Sequence, residues 1–198
     1  MKRFTLYCTL ILFVTVFSSC SNGSNPTAQM GPDEPAMKSP ITNVSLVQLP
    51  ASTAPQSMAK ATRVEVWITP EKGGDVPVSN SYTSIFGTTV TIEMNLHFEP
   101  GTVTEPKLIT IALDSRTLTA DFSPDGLVFE KPAILSATVS GIPSFFIPKD
   151  KDLRLYYING LSFEEMNGTI TANRQDGTIT LADGEIPHFS LYGFGFTK

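Results

Sequence analysis

His188, Phe189 and Ser190, near the carboxyl end, include the two side chains that a peptide-cleaving reaction requires. A serine hydroxyl is a weak nucleophile and needs a base within hydrogen-bond reach. Along a strand, His188 and Ser190 would share one face because successive side chains alternate. The Ser190 hydroxyl could then attack the Phe189 carbonyl carbon while His188 takes the proton. An N→O acyl shift would leave an ester that water hydrolyses.

The alternative for these residues is a structural strand that closes the domain. In it Phe189 and Leu191 would face the core, and His188, Ser190 and Tyr192 would face outward. We expect this second arrangement, and no enzymatic activity is predicted for the chain. Self-cleavage between Phe189 and Ser190 is kept as the alternative.

Three aromatic residues, Trp67, Tyr156 and Tyr157, could bind a sugar or a peptide, because such rings combine apolar faces with a polar edge. Alternation along its strand would expose Trp67, and it would place Tyr156 and Tyr157 on opposite faces. The alternative is that Trp67 packs at an edge of the domain. A glycan or an envelope protein is therefore a possible partner.

Composition excludes several classes of function. The 198 residues include two Cys and two His, too few for an ordinary four-ligand zinc site without carboxylates. No calcium-binding loop, phosphate-binding loop, nucleophile elbow or dinucleotide fingerprint is present. We predict no metal and no cofactor. The formal net charge is −5 and no basic cluster occurs, so no nucleic-acid partner is predicted.

The amino terminus has the three parts of a secretory signal. Lys2 and Arg3 precede an apolar run of about 14 residues, and the small residues Ser18 and Ser19 follow it. The run is too short to cross a hydrocarbon core of about 30 Å comfortably. We therefore predict a signal peptide over residues 1–19 rather than a transmembrane helix.

The stretch Phe17-Ser18-Ser19-Cys20 resembles a bacterial lipobox. The resemblance implies that Cys20 becomes the first mature residue and carries diacylglycerol on its sulfur, so that the partner is a membrane. Plain secretion with a free Cys20 is the alternative. The mature chain would have 12 positive and 19 negative residues, a net charge of −7. The implied location is the cell envelope, and because Ser21 is not Asp the outer membrane is favoured over the inner.

Residues 20–62 have the composition of a tether. Beyond Cys20 they contain six prolines and many small polar residues, and a single aliphatic cluster lies at residues 44–49. Such a segment buries too little apolar surface to offset its ordering entropy. We predict a flexible tether, with an added edge strand at residues 41–49 as the alternative.

Residues 63–198 predict one all-β domain. Apolar and polar residues alternate in windows at residues 63–69, 90–98, 108–113, 118–122, 134–139 and 153–158. A period of two, with β-branched and aromatic residues enriched, indicates half-buried strands. Gly-, Pro- and Asn-containing turns separate the windows, and an Asp176-Gly177 hairpin is expected between two short strands. The predicted fold is an antiparallel β-sandwich.

Two stretches of this domain resemble the ZU-five family of zonula occludens proteins, netrin receptors and ankyrins. Residues 98–103, 109–111 and 122–135 are similar to its Pro-Gly, strand and Pro-x-Gly-x-x-Phe-x-x-Pro pattern, and residues 186–192 to its closing His-Phe-Ser-x-Tyr strand. The resemblance implies a β-sandwich and a non-catalytic surface or envelope module. It also implies self-cleavage at His-Phe-Ser in some relatives.

Overall fold

The computed structural model describes residues 41–54, 62–149 and 151–198. These residues form strands, turns and loops, and none of them lies in a helix that could cross a membrane. The predicted signal peptide, Cys20 and residues 21–40 and 55–61 of the predicted tether lie outside the described residues. The prediction of an all-β fold is confirmed.

Twelve strands are present among the described residues. In chain order they are β1 (Val44–Leu46), β2 (Thr62–Ile68), β3 (Gly74–Thr83), β4 (Thr89–Phe98), β5 (Lys107–Asp114), β6 (Thr119–Ser123), β7 (Val128–Ser140), β8 (Arg154–Asn159), β9 (Ser162–Glu165), β10 (Thr169–Asn173), β11 (Thr178–His188) and β12 (Leu191–Thr197).

The strands form two antiparallel sheets that pack face to face as a sandwich. The first sheet has the order β2-β5-β6-β12-β8-β9, and β1 pairs with β12 beside β6. The second has the order β10-β11-β7-β4-β3. The core lies between them and consists mainly of Val, Ile, Leu and Phe side chains. This is the predicted antiparallel sandwich.

Alternation explains the central strands directly. In β4 the residues Val90, Ile92, Met94, Leu96 and Phe98 are buried, and the polar residues between them point away from the core. A strand buried on one face requires this pattern, since a shift by one residue would expose every apolar side chain. The sequence windows at residues 63–69, 90–98 and 108–113 accordingly match β2, β4 and β5.

The first sheet extends further toward the amino terminus than predicted. Val44–Leu46 pairs with β12, Val47 is 1% exposed and Leu49 is 6% exposed. For residues 41–49 the structure therefore has the alternative, a strand added to the sheet, in place of the tether predicted to run to residue 62. Two aliphatic side chains that fill the core, together with strand pairing, offset the conformational entropy lost on ordering this segment.

The predicted hairpin is present between β10 and β11. Asn173 pairs with Thr178, and Gly177 has φ +65. A Cβ at Gly177 would lie 2.4 Å from the carbonyl oxygen of Ile142, so the turn needs glycine both for its backbone conformation and for this close approach. The hairpin thereby contacts the connection between β7 and β8.

The two ends of the sandwich carry different connections. At one end β3 and β7 terminate, and β4 and β8 begin; we call this the tip end. At the opposite end β11 terminates and β12 begins. The His-Phe-Ser motif therefore lies at the end of the molecule away from the tip end.

Candidate functional site

His188, Phe189 and Ser190 form the crossover from one sheet to the other. His188 is the last residue of β11 in the second sheet, and Leu191 is the first residue of β12 in the first sheet. Alternation is not continuous across this break. Tyr192 is consequently buried, at 1% exposed, and Leu191 is half-buried. The expectation that Tyr192 faces outward with His188 and Ser190 is wrong, because the chain changes sheets between them.

Phe189 anchors this crossover in the core. Its ring stacks on Phe122 at 5.7 Å and meets Phe129 edge-on at 5.0 Å, and its side chain is fully buried. Its backbone N–H donates to the Leu127 carbonyl at 2.8 Å, and its carbonyl accepts from the Gly126 N–H at 3.0 Å. A donor on this carbonyl would stabilise negative charge if a nucleophile attacked it. The same bond also holds the crossover in place.

The His188 ring contacts tyrosines rather than the serine. The Tyr192 hydroxyl donates to the His188 carbonyl oxygen at 2.7 Å and lies 3.3 Å from His188 Nδ1. The ring centroid of Tyr157 lies 4.6 Å from that of His188. Burial raises the pKa of the Tyr192 hydroxyl, so the hydroxyl stays neutral and can donate. Among the described residues the Ser190 hydroxyl makes no hydrogen bond with His188, so the structure shows no nucleophile–base pair.

The three aromatic residues predicted for ligand binding are separated. Trp67 lies on β2, at an edge of the first sheet, and is 66% exposed beside its register partner Leu108. Tyr156 is buried and Tyr157 is half-buried, both on β8. The strands β5, β6 and β12 lie between β2 and β8. Trp67 and the tyrosines therefore do not form one platform.

An aromatic cluster at the tip end was not predicted. Phe86, from the β3–β4 loop, lies 5.1 Å from Phe145 and 5.6 Å from Phe146, which belong to the β7–β8 loop. Phe145 and Phe146 are themselves 5.0 Å apart. We call Ile85, Phe86, Phe145 and Phe146 the aromatic tip. The only sequence signal was an apolar run, Phe145 to Ile147, set between Pro143 and Pro148 where no strand alternation occurs.

A cavity of about 400 Å³ adjoins the β7–β8 loop. Its wall includes Pro148, and three cations, Lys151, Arg154 and Arg174, line it together with one carboxylate, Asp152. Arg154 lies 3.8 Å from Asp152 and 3.6 Å from Glu165. We call this cavity the cationic pocket. Its excess of positive charge suits an anionic group.

A shallow groove of about 620 Å³ crosses the outer face of the second sheet. Polar side chains such as Ser79, Glu93, Asn95 and Thr138 line it. Further along this face, Asn95 Nδ2 donates to Asp75 at 2.8 Å and His97 Nδ1 lies 2.9 Å from the same carboxylate oxygen. The hydrogen bond from Asn95, and to a smaller extent the one from His97, lowers the pKa of Asp75. A solvated sheet face has this composition.

Within the described ranges, no group of three or more His, Cys, Asp or Glu side chains could hold a metal ion. Cys20, the predicted lipidation site, lies outside those ranges. Comparisons with protein-family models, with curated proteins and with solved structures found no match to this chain.

Proposed function

We propose that the chain is a non-enzymatic, lipid-anchored protein of the bacterial cell envelope whose sandwich serves as an interaction module. The observation that carries the proposal is the order of its parts. A basic start, an apolar run and Ser18-Ser19-Cys20 are followed, after about 20 Pro- and Ser-rich residues, by a sandwich that begins at Ile41. Two or more acyl chains make a stable anchor, whereas one alone binds only marginally.

Exposed apolar side chains support the role of an interaction module. Phe86 and Phe145 are each about half exposed or more, and their rings are in contact, with centroids 5.1 Å apart. Exposed large apolar groups cost solvation free energy, and contiguous patches of them mark surfaces that contact another molecule. The resemblance to the ZU-five family is consistent with such a module and remains part of the proposal, as does the outer membrane as the location.

Labelling with palmitate tests the anchor directly. Cells that express the wild-type chain should incorporate the label, and the Cys20→Ala variant should not. Cys8→Ala is the matched control, because Cys8 lies within the apolar run that signal processing would remove, and it should keep the label. Equal labelling of wild type and Cys20→Ala, or no label in either, would refute the anchor.

Self-cleavage at Phe189-Ser190 is the second candidate. The observation that favours it is the Gly126 N–H on the Phe189 carbonyl, at the position where a tetrahedral oxyanion would form. It is the weaker candidate, since the His188 ring is engaged with Tyr157 and Tyr192. The third candidate, a carbohydrate-binding accessory domain, rests on exposed Trp67. Equal glycan-array signals from wild type and Trp67→Ala would dismiss it.

A further inference from the structure

The aromatic tip is held rigidly although it faces solvent. Ser84 is fully buried and bonds Thr88 through both backbone and side chain, with N–H to carbonyl at 2.8 Å and hydroxyl to hydroxyl at 2.8 Å. The Ile85 N–H donates to the Ala51 carbonyl at 2.9 Å. In the other loop the Phe146 N–H donates to the Pro143 carbonyl at 2.9 Å. The loops are thus ordered before any partner arrives.

Because these loops are ordered, three large apolar side chains stay exposed to solvent. Ile85 is 58% exposed, Phe86 49% and Phe145 64%, while Phe146 beneath them packs against the core. The apolar segments of the two loops, residues 84–88 and 142–148, contain no charged residue, and the charged residues of the β7–β8 loop begin at Lys149. An uncharged aromatic projection of this kind fits the interfacial layer of a bilayer, where an apolar surface enters by about 5–10 Å.

The cationic pocket borders the same projection. Pro148 closes the aromatic loop and also lines the pocket, so the cations Lys151, Arg154 and Arg174 begin where the apolar surface stops. Asp152 and Glu165 offset part of the positive charge near Arg154. Phospholipid headgroups carry their phosphate directly above the acyl chains. The aromatic tip would contact the acyl-chain side of the bilayer surface, and the cationic pocket would contact the phosphates above it.

The amino-terminal strand reaches the tip end but does not begin there. Val44, the first residue of β1, pairs with Thr197 beside the carboxyl end of β12, and Gly195 of β12 pairs with Arg154 at the tip end. Ile41, three residues earlier, pairs with Phe163 of β9, which is in register with Ile158 away from the tip end. A lipid on Cys20 would therefore keep the whole domain close to the headgroups, and the choice of the tip end rests on the aromatic tip and the cationic pocket.

We infer that the tip end docks on a phospholipid bilayer, with Ile85, Phe86 and Phe145 in the interfacial layer and the cationic pocket against headgroup phosphate. The inference rests on the proposed lipid anchor. It adds that the domain lies on the bilayer surface in one orientation, rather than hanging free above it.

Fluorescence quenching in vesicles tests the orientation. The full lipidated chain is reconstituted into phosphatidylethanolamine–phosphatidylglycerol vesicles with brominated acyl chains. The native indole is removed by Trp67→Phe, and a reporter is introduced by Phe145→Trp or, as a second tip reporter, by Phe86→Trp. Val128→Trp is the control, because Val128 is 73% exposed and lies at the opposite end. We expect both tip reporters to lose emission, because groups at interfacial depth lie within reach of the acyl chains, and the Val128 reporter to lose none.

A second pair of variants tests the cationic pocket in the Phe145→Trp background. Arg174→Gln should weaken the quenching, whereas Lys131→Gln, which removes an exposed cation from β7 outside the pocket, should leave it unchanged. If both variants quench equally, the pocket makes no headgroup contact and that part of the inference is overturned.

The possible failures are distinguishable. A chain that does not float with the vesicles refutes the lipid anchor of the proposed function. A chain that floats but shows no bromine quenching at either tip reporter keeps the anchor and overturns the docked orientation. A blue-shifted, unquenched tip reporter together with a doubled mass would show that a second copy covers the tip, which also overturns the inference.

Discussion

The hydroxyl of Tyr192 donates a 2.7 Å hydrogen bond to the carbonyl oxygen of His188, four residues earlier, across the connection between the two sheets. Tyrosine corners of Greek-key sandwiches bond back to the backbone in a similar way. Here the bond links the start of β12 to the end of β11. The ring centroid of Tyr192 also lies 5.6 Å from that of Phe122. The buried side chain of Tyr192 therefore holds the crossover that contains the His-Phe-Ser motif.

Removal of this hydroxyl should destabilise the domain without unfolding it. Tyr192→Phe keeps the ring but leaves the His188 carbonyl without this donor, which should cost about 1–3 kcal/mol. Urea unfolding followed by fluorescence measures the change. Tyr156→Phe is the control, since the Tyr156 hydroxyl has no hydrogen-bond partner among the described residues. An equal loss in both variants would show that the Tyr192–His188 hydrogen bond adds nothing beyond the loss of a tyrosine hydroxyl.

The bond between Phe189 and Ser190 should stay intact in the purified protein. The His188 ring packs on Tyr157 and Tyr192, so it is not placed to take the proton of the Ser190 hydroxyl. Denaturing mass spectrometry, run on wild type and Ser190→Ala, should show the same carboxyl terminus for both, Lys198. Loss of residues 190–198 from wild type alone would contradict this and establish self-cleavage.

Stability should fall at alkaline pH. Burial raises the pKa of Tyr82 to about 12, whereas the unfolded chain releases the same proton near pH 10. The contribution of Tyr82 to the free energy of unfolding is therefore fully present below about pH 10 and is lost as the pH rises through about 12. Burial shifts the pKa values of Tyr156 and Tyr192 in the same direction. Urea midpoints between about pH 9 and about pH 11 should fall, and should fall less in Tyr82→Phe. A flat profile in wild type would contradict the burial of these hydroxyls.

The segment before β2 should contribute to the stability of the fold. Leu49 is 6% exposed in the core and its N–H donates to the Arg116 carbonyl at 2.9 Å. Leu49→Ala should cost about 2–5 kcal/mol, because it removes buried side-chain atoms and leaves a cavity. Gln48→Ala, at the exposed neighbouring position, should change stability by less than about 0.5 kcal/mol. Equal unfolding midpoints for Leu49→Ala and wild type would show that residues 41–54 do not belong to the folded domain.

Local patterns predicted the strands whose two faces differ. Alternation identified β2 and β4 because one face points to the core and the other to solvent, and the apolar run of β5 identified a strand with three consecutive buried residues, 109–111. Alternation did not identify β3, in which Pro77 and the consecutive polar residues Ser79, Asn80 and Ser81 mask the signal. β3 lies at an edge of its sheet, where a proline that cannot donate a ladder hydrogen bond is tolerated.

The site residues that were missed depend on contacts between distant segments. Phe86 and Phe145 are 59 positions apart in the chain and meet because β3 and β7 end at the same end of the sandwich. The apolar–polar period of a single segment carries no information about a contact between two distant segments. The reversed burial of Tyr192 has a similar cause, since alternation predicts facing only within a strand and the chain changes sheets after His188. The boundary of the tether was misplaced because two buried side chains, Val47 and Leu49, outweigh a Pro-rich composition.

β12 comes last in the chain yet occupies the interior of its sheet. It pairs with β8 along one edge, and with β6 and then β1 along the other. Without residues 191–198, no strand joins the β2-β5-β6 part of this sheet to the β8-β9 part. A premature stop that removes only these residues would thus leave two unmatched edges instead of a slightly shorter protein, so this one strand decides whether the sheet forms as a unit.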